Sequence, residues 1–181
     1  APLVHVGSRF VPVHAVDEPG AADAIAVMSA SKAWNLAGLK AAVVVAASDR
    51  GWRTVASMGE EVSYGTGILG AAAALAAFTD GTDWLDELLA DLEHRRTLLA
   101  DLLADHIPAI RYHLPEATYL AWLDCRALGP ADPYAHFLHH GKVALAPGDE
   151  FGDGGKGFVR LNFATSPQIL TDAVLAMART L

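Results

Sequence analysis

The sequence predicts an α/β protein in two parts: a layered portion up to about Gly81, then a smaller α+β domain hung on one long helix. Three observations predict it. Residues 24–28 (A-I-A-V-M) and 40–47 (K-A-A-V-V-V-A-A) are short apolar runs without polar alternation. That pattern suits strands of a parallel or mixed sheet covered on both faces. Leu85, Leu88, Leu89, Leu92, Leu99, Leu102 and Leu103 recur at helical spacing. Beyond Pro108 the pattern breaks into short strands and turns.

The elements follow in order. The first twenty residues are irregular, with Pro2, Pro12, Pro19 and Gly20. Asp49 reads as a helix N-cap, and a small-residue helix is expected from about Gly67 to Phe78. Thr82 or Asp83 can cap the long helix, expected over residues 84–105. Strands are expected at 110–113 and 118–124, a helix around 133–140, and strands near 142–145 and 158–163. A last helix starts near Pro167, capped by Thr165 or Ser166. The expected division is 1–82 and 83–181.

Composition narrows the function. With 181 residues, 52% of them apolar, the chain can bury a substantial core. A formal charge of −8 repels phosphate backbones and anionic lipid, which disfavours nucleic acid and membrane surfaces as partners. The single cysteine, Cys125, cannot form an internal disulfide and fits a reducing compartment. No apolar run reaches 18 residues, and the first residues lack the order of a signal peptide. The expectation is a soluble cytoplasmic protein.

One motif carries chemistry. Residues 29–42 read S-A-S-K-A-W-N-L-A-G-L-K-A-A, directly after a candidate strand, with Gly38 permitting close backbone approach. A lysine held in a dry pocket keeps more of its amine uncharged and able to form a Schiff base. From residue type alone, the plainer reading of Lys32 is a solvated lysine in a loop between strands.

This segment resembles the attachment motif for pyridoxal phosphate (PLP) in class I/II aminotransferases, where Ser-x-Ser-Lys precedes an apolar, glycine-containing stretch. Downstream segments resemble the branch holding cystathionine β-lyases of the MalY/PatB type. They are the helix start at Trp84–Leu85, P-E-A-T-Y-L-A-W-L-D at 115–124, P-G-D-E-F-G at 147–152, and G-F-V-R-L-N-F-A at 157–164. With the lysine motif, the match runs in order along essentially the whole chain. The resemblance implies the C-terminal part of a fold-type I PLP-dependent large domain, followed by a small α+β domain. It implies an enzyme acting on a small amino-acid substrate by C–S β-elimination or transamination, working as a homodimer.

It also implies roles. Lys32 would carry PLP and then move the substrate Cα proton. Ser29 and Ser31 flank it, and at least one would donate to the cofactor phosphate. Arg160 matches the arginine that grips the substrate carboxylate, a task suited to a planar guanidinium. By local sequence alone, Arg160 reads as a strand-end surface arginine. Lys40 stands where many members have a phosphate-contacting arginine; it offers a point charge without the fork. Tyr64, in V-S-Y-G-T-G, matches a region that approaches the neighbouring subunit's cofactor in related dimers, with a packed core tyrosine as the plainer reading.

Several partners that the resemblance implies are missing here: the glycine-containing phosphate loop, the ring-stacking aromatic, an Asn, a Tyr, and the Asp that pairs with the pyridine nitrogen. The expectation is therefore a fragment, inactive alone. The alternative is a non-catalytic remnant kept for oligomerisation or ligand binding.

Other candidates weigh less. His136, His139 and His140 lie on an expected helix, but no third ligand or H-E-x-x-H order supports a metal. The run G-D-G-G-K-G at 152–157 lacks P-loop spacing and reads as a flexible hairpin or lid. Cys125 is expected buried in a strand, the Trp and Leu stripes of the long helix in the core, and no G-x-S-x-G elbow occurs.

Overall fold

The computed structural model describes residues 2–181. The chain forms two compact units. One is Arg9–Leu88; the other joins Leu3–Ser8 to Leu89–Leu181.

In the first unit, β1 (Ile25–Met28) and β2 (Val43–Ala46) form a two-stranded sheet. They pair antiparallel, with Ile25 opposite Ala46 and Met28 opposite Val43. An antiparallel pair is compatible with the expected mixed sheet, but the expectation that both faces are covered is not met among the described residues. Val27 is 69% exposed and Val43 48%. The strands are apolar on both sides, and the described residues do not supply two covering layers. Helix α1 (Asp49–Ala56) is capped by Ser48, not by Asp49 as expected. The Ser48 Oγ accepts from the Gly51 N–H at 3.0 Å and donates to Asp23 Oδ1 at 2.7 Å. Asp49 instead occupies the first turn, where a negative charge complements the helix dipole. A short α2 (Glu61–Tyr64) precedes α3 (Ile68–Asp80), which runs slightly longer than expected.

Helix α4 (Thr82–His106) starts in the first unit and finishes in the second. Its Leu92, Leu99 and Leu103 are buried, as the leucine spacing predicts, while Trp84 is 45% exposed and not core. The second unit's sheet holds β3 (Arg111–Tyr112), β4 (Leu120–Asp124), β5 (Ala146–Pro147) and β6 (Phe158–Asn162). The order is β3-β4-β6-β5, with every pair antiparallel. Ala121 and Leu123 of β4 join Val159 and Leu161 of β6 on the buried face. The core is completed by Phe137, Phe163 and, from α6 (Pro167–Ala178), Leu170, Val174 and Met177. Ser166 is the cap of α6, accepting from the Ile169 N–H at 3.2 Å.

Two expected strands are shorter or displaced. Thr118 adopts φ +73, and its hydroxyl accepts the Leu120 N–H, so β4 starts at Leu120. Helix α5 (Pro133–His136) runs on into a π-helical turn, Phe137–Gly141, closed by Lys142 at φ +57. The Val143 N–H is then taken by the Phe137 carbonyl at 3.1 Å, so residues 142–145 form no ladder and β5 begins at Ala146.

The segment Leu3–Ser8 is pinned into the second unit. Val4 bridges Ala117, and the Thr118 N–H donates to the Leu3 carbonyl at 2.7 Å. Buried His5 donates from Nε2 to the Thr118 carbonyl at 2.7 Å, and its Nδ1 lies 3.3 Å from Glu93 Oε2. Arg96 in turn bonds Glu93 and the Pro115 carbonyl.

Candidate functional site

The candidate residues fall in both units. Lys32 sits on a turn that leaves the end of β1. The Trp34 N–H donates to the Ala30 carbonyl at 3.1 Å, and the Ser31 N–H to Ser29 Oγ at 3.4 Å. Ala30 and Ala33, each 2% exposed, anchor the turn from below. A second brace comes from Trp34. Its indole N–H donates to the Gly81 carbonyl at 2.9 Å, and its ring meets Phe78 edge-on at 5.2 Å. Sequence reasoning did not assign Trp34 this role; its only signal was an aromatic residue two positions after the lysine.

Lys32 is exposed, as its residue type alone suggests. Among the described residues its amine has no ion pair or hydrogen bond. The exposed Lys32 thus sits on the same turn as the buried Ala30 and Ala33. Ser29 and Ser31 are half-buried, and neither hydroxyl proton has an acceptor among the described residues. Lys40, exposed at φ +53, ends a short turn and is likewise unpaired among the described residues. Tyr64 is 79% exposed, which removes the core reading.

Arg160 lies on β6 in the second unit, opposite Trp122 of β4 and Ala146 of β5. It points to the sheet face away from the core, since its neighbours Val159 and Leu161 are buried. Its guanidinium carbon lies 4.4 Å from the centre of the Phe151 ring. Among the described residues it has no carboxylate partner. Trp122 meets Phe151 edge-on at 5.7 Å and stacks on Phe158 at 5.5 Å. At the other end Arg126 lies 4.8 Å over Phe158, but Asp124 engages it with bonds of 2.9 and 2.8 Å. Those bonds, more than any other influence, hold the Asp124 carboxyl down at about 2.

The remaining candidates are structural. His136 donates from Nε2 to the Thr180 carbonyl at 2.9 Å, and no group of three metal-ligating side chains converges among the described residues. Cys125 is buried just past the end of β4, and burial pushes its thiol up to about 12. The glycine run 152–157, expected as a flexible hairpin or lid, holds a tight turn at Asp153–Gly155 that follows another at Gly148–Phe151. Gly148 and Gly155 press together so closely that neither has room for a β-carbon. No helix of the described residues is long and apolar enough to cross a membrane.

Comparisons with known proteins follow the same lines. A family model described as aminotransferase class I and II matches residues 3–176. A provisionally named cystathionine beta-lyase of Mycobacterium tuberculosis is 48% identical over 199 residues, covering 100% of this chain and 48% of its own length. Cystathionine beta-lyase PatB of Bacillus subtilis is 32% identical over 176 residues, covering 95% of this chain and 45% of its own. A solved structure, a provisionally named PLP-dependent beta-cystathionase of Corynebacterium diphtheriae, matches with a TM-score of 0.90 at 36% identity. That match covers 99% of this chain and 48% of the other. The chain thus spans about half the length of the relatives it matches. The α/β fold expected from the sequence is the one these relatives share. By its ordered motifs, its fold and these matches, the chain belongs to the aminotransferase class I and II family.

Proposed function

We propose that this chain is part of a PLP-dependent enzyme acting on amino acids, with C–S β-elimination from a cystathionine-like substrate as the reaction and transamination as its nearest relative. One observation carries the reading: Lys32 presents an amine unpaired among the described residues, at the tip of a turn fixed by two buried alanines and by the Trp34–Gly81 bond. The residues present fit the aldehyde and phosphate ends of the cofactor. A lysine amine suits an aldehyde carbon, and two serine hydroxyls without acceptors among the described residues suit phosphate oxygens. Lys32 would hold the cofactor covalently. Ser29, Ser31 and, as a point charge, Lys40 would hold its phosphate. When bound, the cofactor supplies an electron sink for the charge left at Cα.

The chain's own residues then have distinct tasks. Arg160 binds the substrate carboxylate through its in-plane N–H donors, which sets the Cα–H bond in the orientation that reacts. Once the substrate amine has displaced it from the cofactor, Lys32 Nζ would take the Cα proton. Residues 1–82 are read as the later portion of a large cofactor domain and residues 83–181 as the small domain. A cytoplasmic homodimer is the form proposed, supported by the family's habit and by a lone, buried cysteine.

The test is chemical. In the full-length protein, borohydride reduction should fix the cofactor on Lys32, located by peptide mapping, and Lys32→Ala should abolish turnover. A label on another lysine, or none, overturns the assignment. Absence of any cofactor binding by the full-length protein would favour the non-catalytic remnant.

A further inference from the structure

We propose that Phe151, braced by Trp122, is a positioning residue that presents Arg160 to a carboxylate. This rests on the reading of Arg160 as the substrate-carboxylate site. Two arginines of the second unit, Arg126 and Arg160, are held in different ways. Arg126 and Arg160 each lie over an aromatic ring, at 4.8 and 4.4 Å. Arg126 spends its edge donors on Asp124. Arg160 has no such partner among the described residues.

The difference decides what each can bind. A guanidinium carries its N–H donors in its own plane, so a carboxylate anchor occupies the same edge that a substrate carboxylate needs. An aromatic ring takes the flat face instead. It restrains the long side chain and attracts its charge without neutralising it, leaving the edge free. Phe151 is 49% exposed, so core filling does not account for its place.

The ring is itself held. Trp122 meets it at an interplanar angle of 85°, and Trp122 is stacked on Phe158 at 16°. Trp122 is also the cross-strand partner of Arg160, so one residue sets both ring and strand. The backbone below is fixed by the Gly148–Gly155 contact, and Gly152 at φ +114 turns the chain just after Phe151.

The experiment uses the full-length enzyme with its cofactor, L-cystathionine as substrate, and propionate and propylamine as competing inhibitors. Phe151→Leu should weaken propionate inhibition and raise the KM for L-cystathionine, each roughly 3- to 10-fold, the scale of a lost cation–π contact. Propylamine inhibition should not change. Phe151→Tyr, which keeps the ring, should behave as wild type. The Arg160 side-chain N–H resonance should be shifted upfield by the ring in wild type and Phe151→Tyr and released in Phe151→Leu. Unshifted wild-type resonances overturn the proposal even if Phe151→Leu fails to fold. Unchanged propionate inhibition in Phe151→Leu, with loss in Arg160→Ala, overturns the positioning role alone. Unchanged propionate inhibition in Arg160→Ala overturns the underlying carboxylate reading.

Discussion

Asp124 and Cys125 are chain neighbours whose surroundings drive them in opposite directions. Arg126 holds the Asp124 carboxyl at about 2, chiefly by hydrogen bonding its ionised form. Burial, helped by the Asp124 charge, lifts the Cys125 thiol to about 12. Because the carboxyl is depressed on folding, its contribution to stability is fully present above the ordinary carboxylate range and lost as pH falls through about 2. An NMR titration should find the Asp124 midpoint near 2, and Arg126→Ala should return it toward an ordinary aspartate. The thiol follows the other rule. It stays protonated at neutral pH, so Cys125 should resist a thiol reagent at pH 8 in the native protein and react at once in denaturant. Rapid native labelling would contradict its burial. At this scale the sequence was informative where chemistry is local. The S-x-S-K run and the strand arginine stand out as residue types. It was silent on Trp34 and Phe151, because their roles lie in contacts with Gly81 and Arg160, far along the chain.

Helices were the most legible elements. The leucine spacing of α4 places Leu92, Leu99 and Leu103 in the core without any tertiary information. Caps were less so. Ser48 and Asp49 are both good cap residues, and only the bond from Ser48 to Asp23 chooses between them. Strand ends failed where a side chain or π turn diverted a backbone donor, as at Thr118 and Val143. Two substitutions test this level. Ser166→Ala should cost about 1 kcal/mol by leaving the start of α6 uncapped, measured by denaturant unfolding. Trp34→Ala should cost more, about 2–3 kcal/mol, because it removes both the bond to Gly81 and the packing on Phe78. It should also disturb the Lys32 turn; a variant as stable as wild type would show that Trp34 braces nothing.

At the scale of the molecule, the two units differ in how well they cover their apolar residues. The second has a closed core of leucines, phenylalanines and Met177. The first leaves Val27, Ile68, Leu69 and Leu75 between 65 and 83% exposed. So much uncovered apolar surface, beside unpaired strand edges, should drive association. Sedimentation velocity of the 181-residue chain should show concentration-dependent oligomers, and Val27→Glu with Leu69→Glu should reduce them. A monomer at every concentration would count against this. The composition of the exposed strands was readable from sequence; their lack of cover was not, because pattern reports only that a residue prefers burial.

The pinning of Leu3–Ser8 into the second unit sets an order of events during synthesis. His5 bonds to Thr118, 113 residues further on, and Val4 pairs with Ala117. A ribosome makes residues 3–8 long before it makes their partners. They leave the exit tunnel before their partners in this unit exist, and closing so long a loop delays any contact that depends on it. The earliest part of this unit to be translated is therefore among the last to find its place. Until residues 115–118 emerge, Leu3 and His5 lack the contacts with Ala117 and Thr118 that help to bury them in the finished fold.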